Sequence, residues 1–302
     1  MAWLQALSAA EPWTLAMLAT AAAAYAAALV AAGTVLFSLV FSDLPDRQQG
    51  MNSVTIAIAA GSGLMLFLLQ WLLQAGYLGG GNLASALDPA LLGMVFEGAP
   101  GTRLRMALSG LVLVMALPLF RQRRPPFARN LSVAGVVLIV LAFTQVGHST
   151  GEPRLLLGTL LGVHLLAAAF WVGSLWPLYS LAGCATDQRQ AAAILARFGR
   201  IAVWAVAALV LAGTTLAAFL LGGLAPLLST AYGQFLLIKI ALVAALLLLA
   251  ASNKWRLVPA FHSGDSQAPR RLRRSIALEM ALVTLILLLT GALTTLSSPS
   301  SA

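Results

Sequence analysis

Long apolar stretches separated by short polar connections dominate the chain. No formal charge lies between Glu11 and Asp43, between Arg47 and Asp88, between Arg154 and Asp187, or between Arg200 and Lys239. A helix needs about 20 residues to cross a hydrocarbon core of about 30 Å, so each stretch is long enough to span. The pattern predicts eight transmembrane helices near residues 13–41, 53–76, 103–121, 131–150, 154–180, 198–222, 232–253 and 273–296. The third begins with Arg103 and Arg105, which snorkel towards the interface. The seventh and eighth carry Lys239 and Glu279, tolerable on faces turned into the bundle. The expected fold is therefore all-α, a polytopic membrane helical bundle, with residues 1–302 forming one transmembrane domain.

Composition sharpens this reading. Hydrophobic residues make up 60% of the chain and charged residues 9%, against roughly 25% charged in a soluble domain. The net charge of +9 does not point to nucleic acid, because the cations cluster between apolar runs. Its single cysteine, Cys184, excludes an internal disulfide framework and any multi-cysteine metal site from this chain alone. Met1 to Pro12 carries no lysine or arginine, so the first apolar segment reads as a retained helix and not as a cleaved signal.

Alternate connections carry Arg47; Arg121, Arg123, Arg124 and Arg129; Arg189, Arg197 and Arg200; and Lys254, Arg256, Arg270, Arg271, Arg273 and Arg274. The cytoplasmic side of a membrane protein is enriched in such residues. Both termini and the long Tyr77–Thr102 loop are then expected outside, with only Arg103, Arg105 and Arg154 near them. That loop is a candidate docking surface or a passive connector.

Ionisable residues within the spans are functional candidates because charge in hydrocarbon is costly. His148 is placed at the outer end of the fourth helix and His164 about three turns into the fifth. Lys239 lies about two turns into the seventh, and Glu279 lies in the inner third of the eighth. Neutral imidazole binds copper or zinc, and it also suits haem ligation or a plain hydrogen bond to a neighbouring helix. Lys239 is a poor ligand and is expected to bond carboxylate or carbonyls, while the depth of Glu279 argues against a direct pair with it. Glu279 reads as an exit-side or proton-handling carboxylate or as a structural acceptor. Methionine thioethers suit Cu(I), and Met17, Met94 and Met106 map to the outer part. Met106 joins His148 and His164 as a candidate metal ligand, although each methionine also fits ordinary packing. Trp171 is a candidate cavity wall, and His262 is expected to be solvated.

The residues around His148 and His164 are followed by the run from Tyr232 to Lys239, then Asn253-Lys-Trp-Arg256-Leu-Val-Pro259, then Leu272-Arg-Arg-Ser275-Ile-Ala-Leu-Glu279. In this order they resemble the CopD family over residues 147–296. The resemblance implies an inner-membrane copper-resistance protein that imports copper and works with a periplasmic copper-binding protein of the CopC type. It carries the family's recurrent polar positions onto His148, His164, Lys239, Asn253 and Glu279. The N-terminal half resembles it more loosely, since Glu97 to Arg105 lacks a tryptophan common in the family. No P-loop and no Cys-Pro-Cys site appears, so passage is expected to be gradient-driven or chaperone-fed, without enzymatic turnover. The competing readings are a haem-binding membrane redox protein and a non-transporting partner of a periplasmic copper chaperone.

The arginine asymmetry generates a topology test. Reporters fused after Arg124 and after Pro269 are expected to read cytoplasmic, and reporters at Gly80 and at the C-terminus external. An external signal at Arg124 overturns the orientation.

Overall fold

A computed structural model describes residues 11–147, 151–183, 188–221 and 225–295. Among them are eight helices long and apolar enough to cross a membrane: α1 (Pro12–Val40), α2 (Asp46–Leu78), α3 (Ala99–Phe120), α4 (Pro125–Phe143), α5 (Arg154–Ala182), α6 (Gln188–Leu221), α7 (Ala231–His262) and α8 (Ala268–Thr294). There is no strand among the described residues. The bundle is an all-α polytopic membrane fold.

α1 is the central post, packing on α2, α4, α5 and α8. Its run of alanines suits that place, because lipid is as apolar as leucine. Helices in a bilayer therefore gain little from hydrophobicity and associate through close van der Waals contact between small residues. The tightest approach joins α1 to α5 at Gly33 and Gly173. A Cβ on Gly33 would overlap the Ala169 carbonyl, and one on Gly173 would overlap the Gly33 backbone. Beside them Thr34 Oγ1 donates to the Gly173 carbonyl at 3.1 Å. A second glycine contact, Gly110 against Gly135, brings α3 onto α4. α2, α6 and α7 show large apolar side chains outward, including Ile58, Met65, Leu211 and Leu248, as lipid contact requires.

The basic connections converge at one end. Arg197 pairs with Asp43 at 3.2 Å, Gln190 Nε2 donates to the Asp43 carbonyl at 3.0 Å, and Gln188 Nε2 donates to the Phe261 carbonyl at 3.3 Å. Just inside this arginine-rich end, Ser180, Gln48, Asn52 and Ser38 form a hydrogen-bonded chain tying α5, α2 and α1 together. At the arginine-poor end, Trp13 Nε1 donates to the Leu73 carbonyl at 3.0 Å.

The predicted spans hold, with corrected boundaries. α2, α6 and α8 begin several residues earlier than hydropathy indicated, and α7 runs on to His262. Hydropathy marks only the part of a helix inside hydrocarbon, and these helices continue into the charged interface. α7 continues through a π-helical turn at Asn253–Leu257. α4, in contrast, stops at Phe143, followed by turns leading to Gly147 with φ +79°. His148, expected on that helix, and Cys184 lie outside the described residues.

The long loop at the arginine-poor end is an ordered cap. Asn82 and Asp88 cap two short helices, Leu83–Ala86 and Pro89–Glu97, and Trp71 Nε1 donates to the Leu92 carbonyl at 3.2 Å. Arg105 reaches back from α3, donating to the Phe96 carbonyl at 2.7 Å and lying over the Phe96 ring. Its role is to clamp the cap onto α3.

Candidate functional site

His164 and Lys239 line one cavity of about 640 Å³ that reaches towards the arginine-poor end. α5 contributes His164, Ala168 and Trp171, which share a helix face because they lie four and then three residues apart. α7 contributes Tyr232, Lys239 and Leu247; α1, α6 and α8 complete the wall. Gly147, the residue before His148 in the chain, also lines it.

The His164 ring is oriented by α6. Its Nδ1 lies 3.0 Å from the Leu209 carbonyl, and a carbonyl only accepts, so Nδ1 carries the hydrogen. In the neutral ring Nε2 is then a lone pair with no hydrogen-bond partner among the described residues. Metal-binding histidines commonly show this arrangement, in which a bond from the far nitrogen fixes tautomer and ring direction. Gly213, one turn beyond Leu209, makes the approach possible: a Cβ there would stand 3.0 Å from His164 Cε1 and Nδ1.

Lys239 is half-buried and forms no ion pair or hydrogen bond among the described residues. Glu279 is not its partner. That carboxyl is 4% exposed and accepts from Asn253 Nδ2 at 2.5 Å. It lines a different cavity of about 590 Å³ at the arginine-rich end, together with Asn253, Lys254 and His262. Asn253 stands at the start of the π-turn, a distortion frequent at functional sites, and its Oδ1 is buried without a partner. The two cavities meet at Trp171 and Leu247, which line both. The Trp171 indole reaches towards Glu279 but its Nε1 closes no well-formed hydrogen bond. Trp171 is thus both cavity wall and packed core, the wall being the less common reading for a tryptophan in a helix.

Met106 lies elsewhere. It packs against the hydrophobic cluster of Leu104, Ala107 and Leu111, on a helix set mainly against α2 and α4, and it lines neither cavity. Met17 lines an adjoining pocket, and Met94 is exposed in the cap. Among the described residues no three His, Cys, Asp or Glu side chains converge as a metal site. Sequence reasoning missed Leu209 and Gly213, which orient the histidine, because a backbone carbonyl and a glycine carry no chemical label. The Gly213 position could have been read only from helix pairing.

Comparison with known proteins places both halves of the chain in one lineage. Residues 9–156 match the family "Copper resistance protein D-like, N-terminal domain", and residues 192–293 match "Copper resistance protein D". Copper resistance protein D of Pseudomonas syringae pv. tomato is 32% identical over 260 residues, covering 80% of this chain and 82% of that one. Inner membrane protein YebZ of Escherichia coli is 30% identical over 214 residues, covering 68% and 70%. Copper transport protein CutJ of Bacillus subtilis is 29% identical over 292 residues, 91% of this chain but 51% of the relative. No solved structure matches.

The ring-to-carbonyl geometry is testable through α6. Gly213→Val places two methyl groups against His164 and is expected to turn the ring off the Leu209 carbonyl. Nitrogen NMR of the histidine-labelled protein at matched folding checks it: the Nδ1–H signal is expected to lose its hydrogen-bonded shift in the variant, and a spectrum equal to wild type removes the orienting role of that contact.

Proposed function

The chain belongs to the copper resistance protein D family, and from that premise we propose that it carries copper across the bacterial inner membrane, in the direction of import, as a multi-pass protein with both termini periplasmic. The observation that carries this reading is the His164 imidazole, held through Nδ1 by the Leu209 carbonyl with Nε2 free in a cavity reaching towards the end proposed to face outward. Apart from Lys239 and the hydroxyls of Tyr25, Tyr232, Thr290 and Thr294 the wall is apolar, and neutral hydroxyls are weak ligands for a soft or borderline metal, so the anchored imidazole is the donor on which passage turns. His148, next in the chain to Gly147, serves as the outer capture ligand and precedes His164 on the route. Copper then passes the Trp171–Leu247 partition into the cavity of Asn253 and Glu279, where the Glu279 carboxylate serves as the exit-side ligand.

Lys239 has no carboxylate beside it among the described residues of the outer cavity. An ammonium there repels a bare cation, so it lowers the affinity of a site from which copper must also leave. With no nucleotide-binding motif in the chain, the driving force is a gradient or delivery by a periplasmic CopC-like protein, for which the ordered cap over α2 and α3 supplies a surface. The lipid bilayer is its other partner, and nucleic acid is not one.

A haem-binding redox protein is the second reading. It is favoured by one observation: a largely apolar space of about 640 Å³ containing an imidazole and an ammonium suits a tetrapyrrole with an axial ligand and a propionate partner. A Soret band in the protein as purified from membranes would select this reading.

Copper uptake into proteoliposomes at matched protein content tests the transport reading. A glutamine amide keeps a hydrogen bond but is a far poorer ligand for a soft or borderline metal. His164→Gln is therefore expected to fold normally while uptake falls about 100-fold, on the order of the loss when a metal site is disrupted. His148→Gln is expected to raise the copper concentration for half-maximal uptake more than it lowers the maximal rate. Wild-type uptake by His164→Gln removes the ligand role.

A further inference from the structure

A third cavity, of about 390 Å³, opens between the arginine-poor ends of α1, α2 and α3, beside the cavity of His164 and sharing Tyr25, Val146, Gly147 and Thr294 with it. Among the described residues its only charged lining residue is Arg103. The two arginines of α3 differ. Arg105 is committed to the Phe96 carbonyl and to Thr102 Oγ1 at 2.7 and 3.1 Å. Arg103 has one long hydrogen bond, from Nη2 to Gln70 Oε1 at 3.4 Å, no carboxylate partner among the described residues, and a buried Nε with no acceptor.

The guanidinium is nevertheless held in place. The rings of Phe143, Phe67 and Tyr25 lie 5.3, 5.4 and 5.7 Å from its central carbon. Such contacts use the face of the cation and the face of the ring, whereas the N–H donors of a guanidinium radiate from its edge. An aromatic cage therefore fixes the group without consuming its donors. Around the same space, the Gln74 amide and the Thr14 hydroxyl have no intramolecular partner among the described residues, and Gln70 and Tyr77 add further polar groups. A cation confined beside lipid with spare donors and no counter-ion is a site for an anion, and the planar fork of arginine matches a carboxylate bidentately.

We propose that this pocket binds a small free carboxylate from the outer side, gripped by the Arg103 guanidinium edge and assisted by Gln70, Gln74 and Thr14. The site does not depend on copper passage, and loss of copper uptake in a His164 variant leaves it intact.

Citrate is the probe, titrated calorimetrically into the full chain in nanodiscs of zwitterionic lipid. Wild-type protein is expected to bind it, Arg103→Gln to weaken binding about 30-fold by removing a charge-assisted contact, and Arg105→Gln to change it by less than about two-fold because that arginine is already committed. Arg103→Lys separates charge from geometry, with recovery of less than half of the lost binding free energy expected for a bidentate grip. Should Arg103→Gln fail to fold, Gln74→Leu carries the test, with an expected loss of about five-fold for one neutral hydrogen bond. Affinity unchanged by phosphatidylglycerol in the discs is expected, whereas competition by that lipid assigns the anion to a headgroup phosphate and overturns the proposal. Absence of citrate binding to wild type, or equal affinity in Arg103→Gln and wild type, also overturns it.

Discussion

Lipid offers neither a donor nor an acceptor, so every polar side chain that this bundle brings into hydrocarbon must be answered by another protein group. Most are. Thr34 donates to the Gly173 carbonyl, and the Ser180, Gln48, Asn52 and Ser38 side chains bond in sequence across three helices. Glycine and alanine contacts along α1 make such answers possible, because only small residues let a side chain on one helix reach the backbone of the next. Among the described residues the side chains left partly unanswered include His164 Nε2, Lys239, Arg103, Trp171 Nε1, Asn253 Oδ1 and Ser275 Oγ. All of these but Ser275 line cavities, where something other than protein meets them.

That distribution divides the molecule. The half nearest the arginine-poor end carries nitrogen groups, with His164 and Lys239 in one cavity and Arg103 in its neighbour. The other half carries the Asn253–Glu279 pair, with Lys254 and His262 on the same cavity wall. Trp171 and Leu247 stand between. On the proposed transport reading, His164 on one side of this partition and the Asn253–Glu279 pair on the other are the two places where an ion is held and released, provided the partition moves. The π-turn at Asn253–Leu257 lies where α7 meets the lower cavity, so a local change of helix register there would shift Asn253 relative to Glu279.

Much of the fold was legible in the hydropathy pattern, because a spanning helix needs a long apolar stretch and little else in the chain can provide one. Helix ends were not, since charged residues continue a helix beyond the hydrocarbon: α6 begins at Gln188, well before the apolar run. The site was half legible. His164 and Glu279 announce themselves as ionisable groups in hydrocarbon, and their separation in depth followed from helix direction. Pairing between helices could not be read, so Leu209 and Gly213 behind the histidine and the aromatic cage around Arg103 were invisible. Packing is equally hidden for Met106, a suitable donor type at a suitable depth that packs against the N-terminal cluster and lines neither cavity.

The central claim is that the free nitrogen of His164 takes copper. X-ray absorption at the copper edge, on protein in which His148 and His262 are both replaced by glutamine and which is loaded with one equivalent of copper, tests it most directly. The account predicts the outer-shell scattering of a single imidazole, lost when His164→Gln is added. A copper spectrum without an imidazole signature, or one unchanged by that addition, contradicts it.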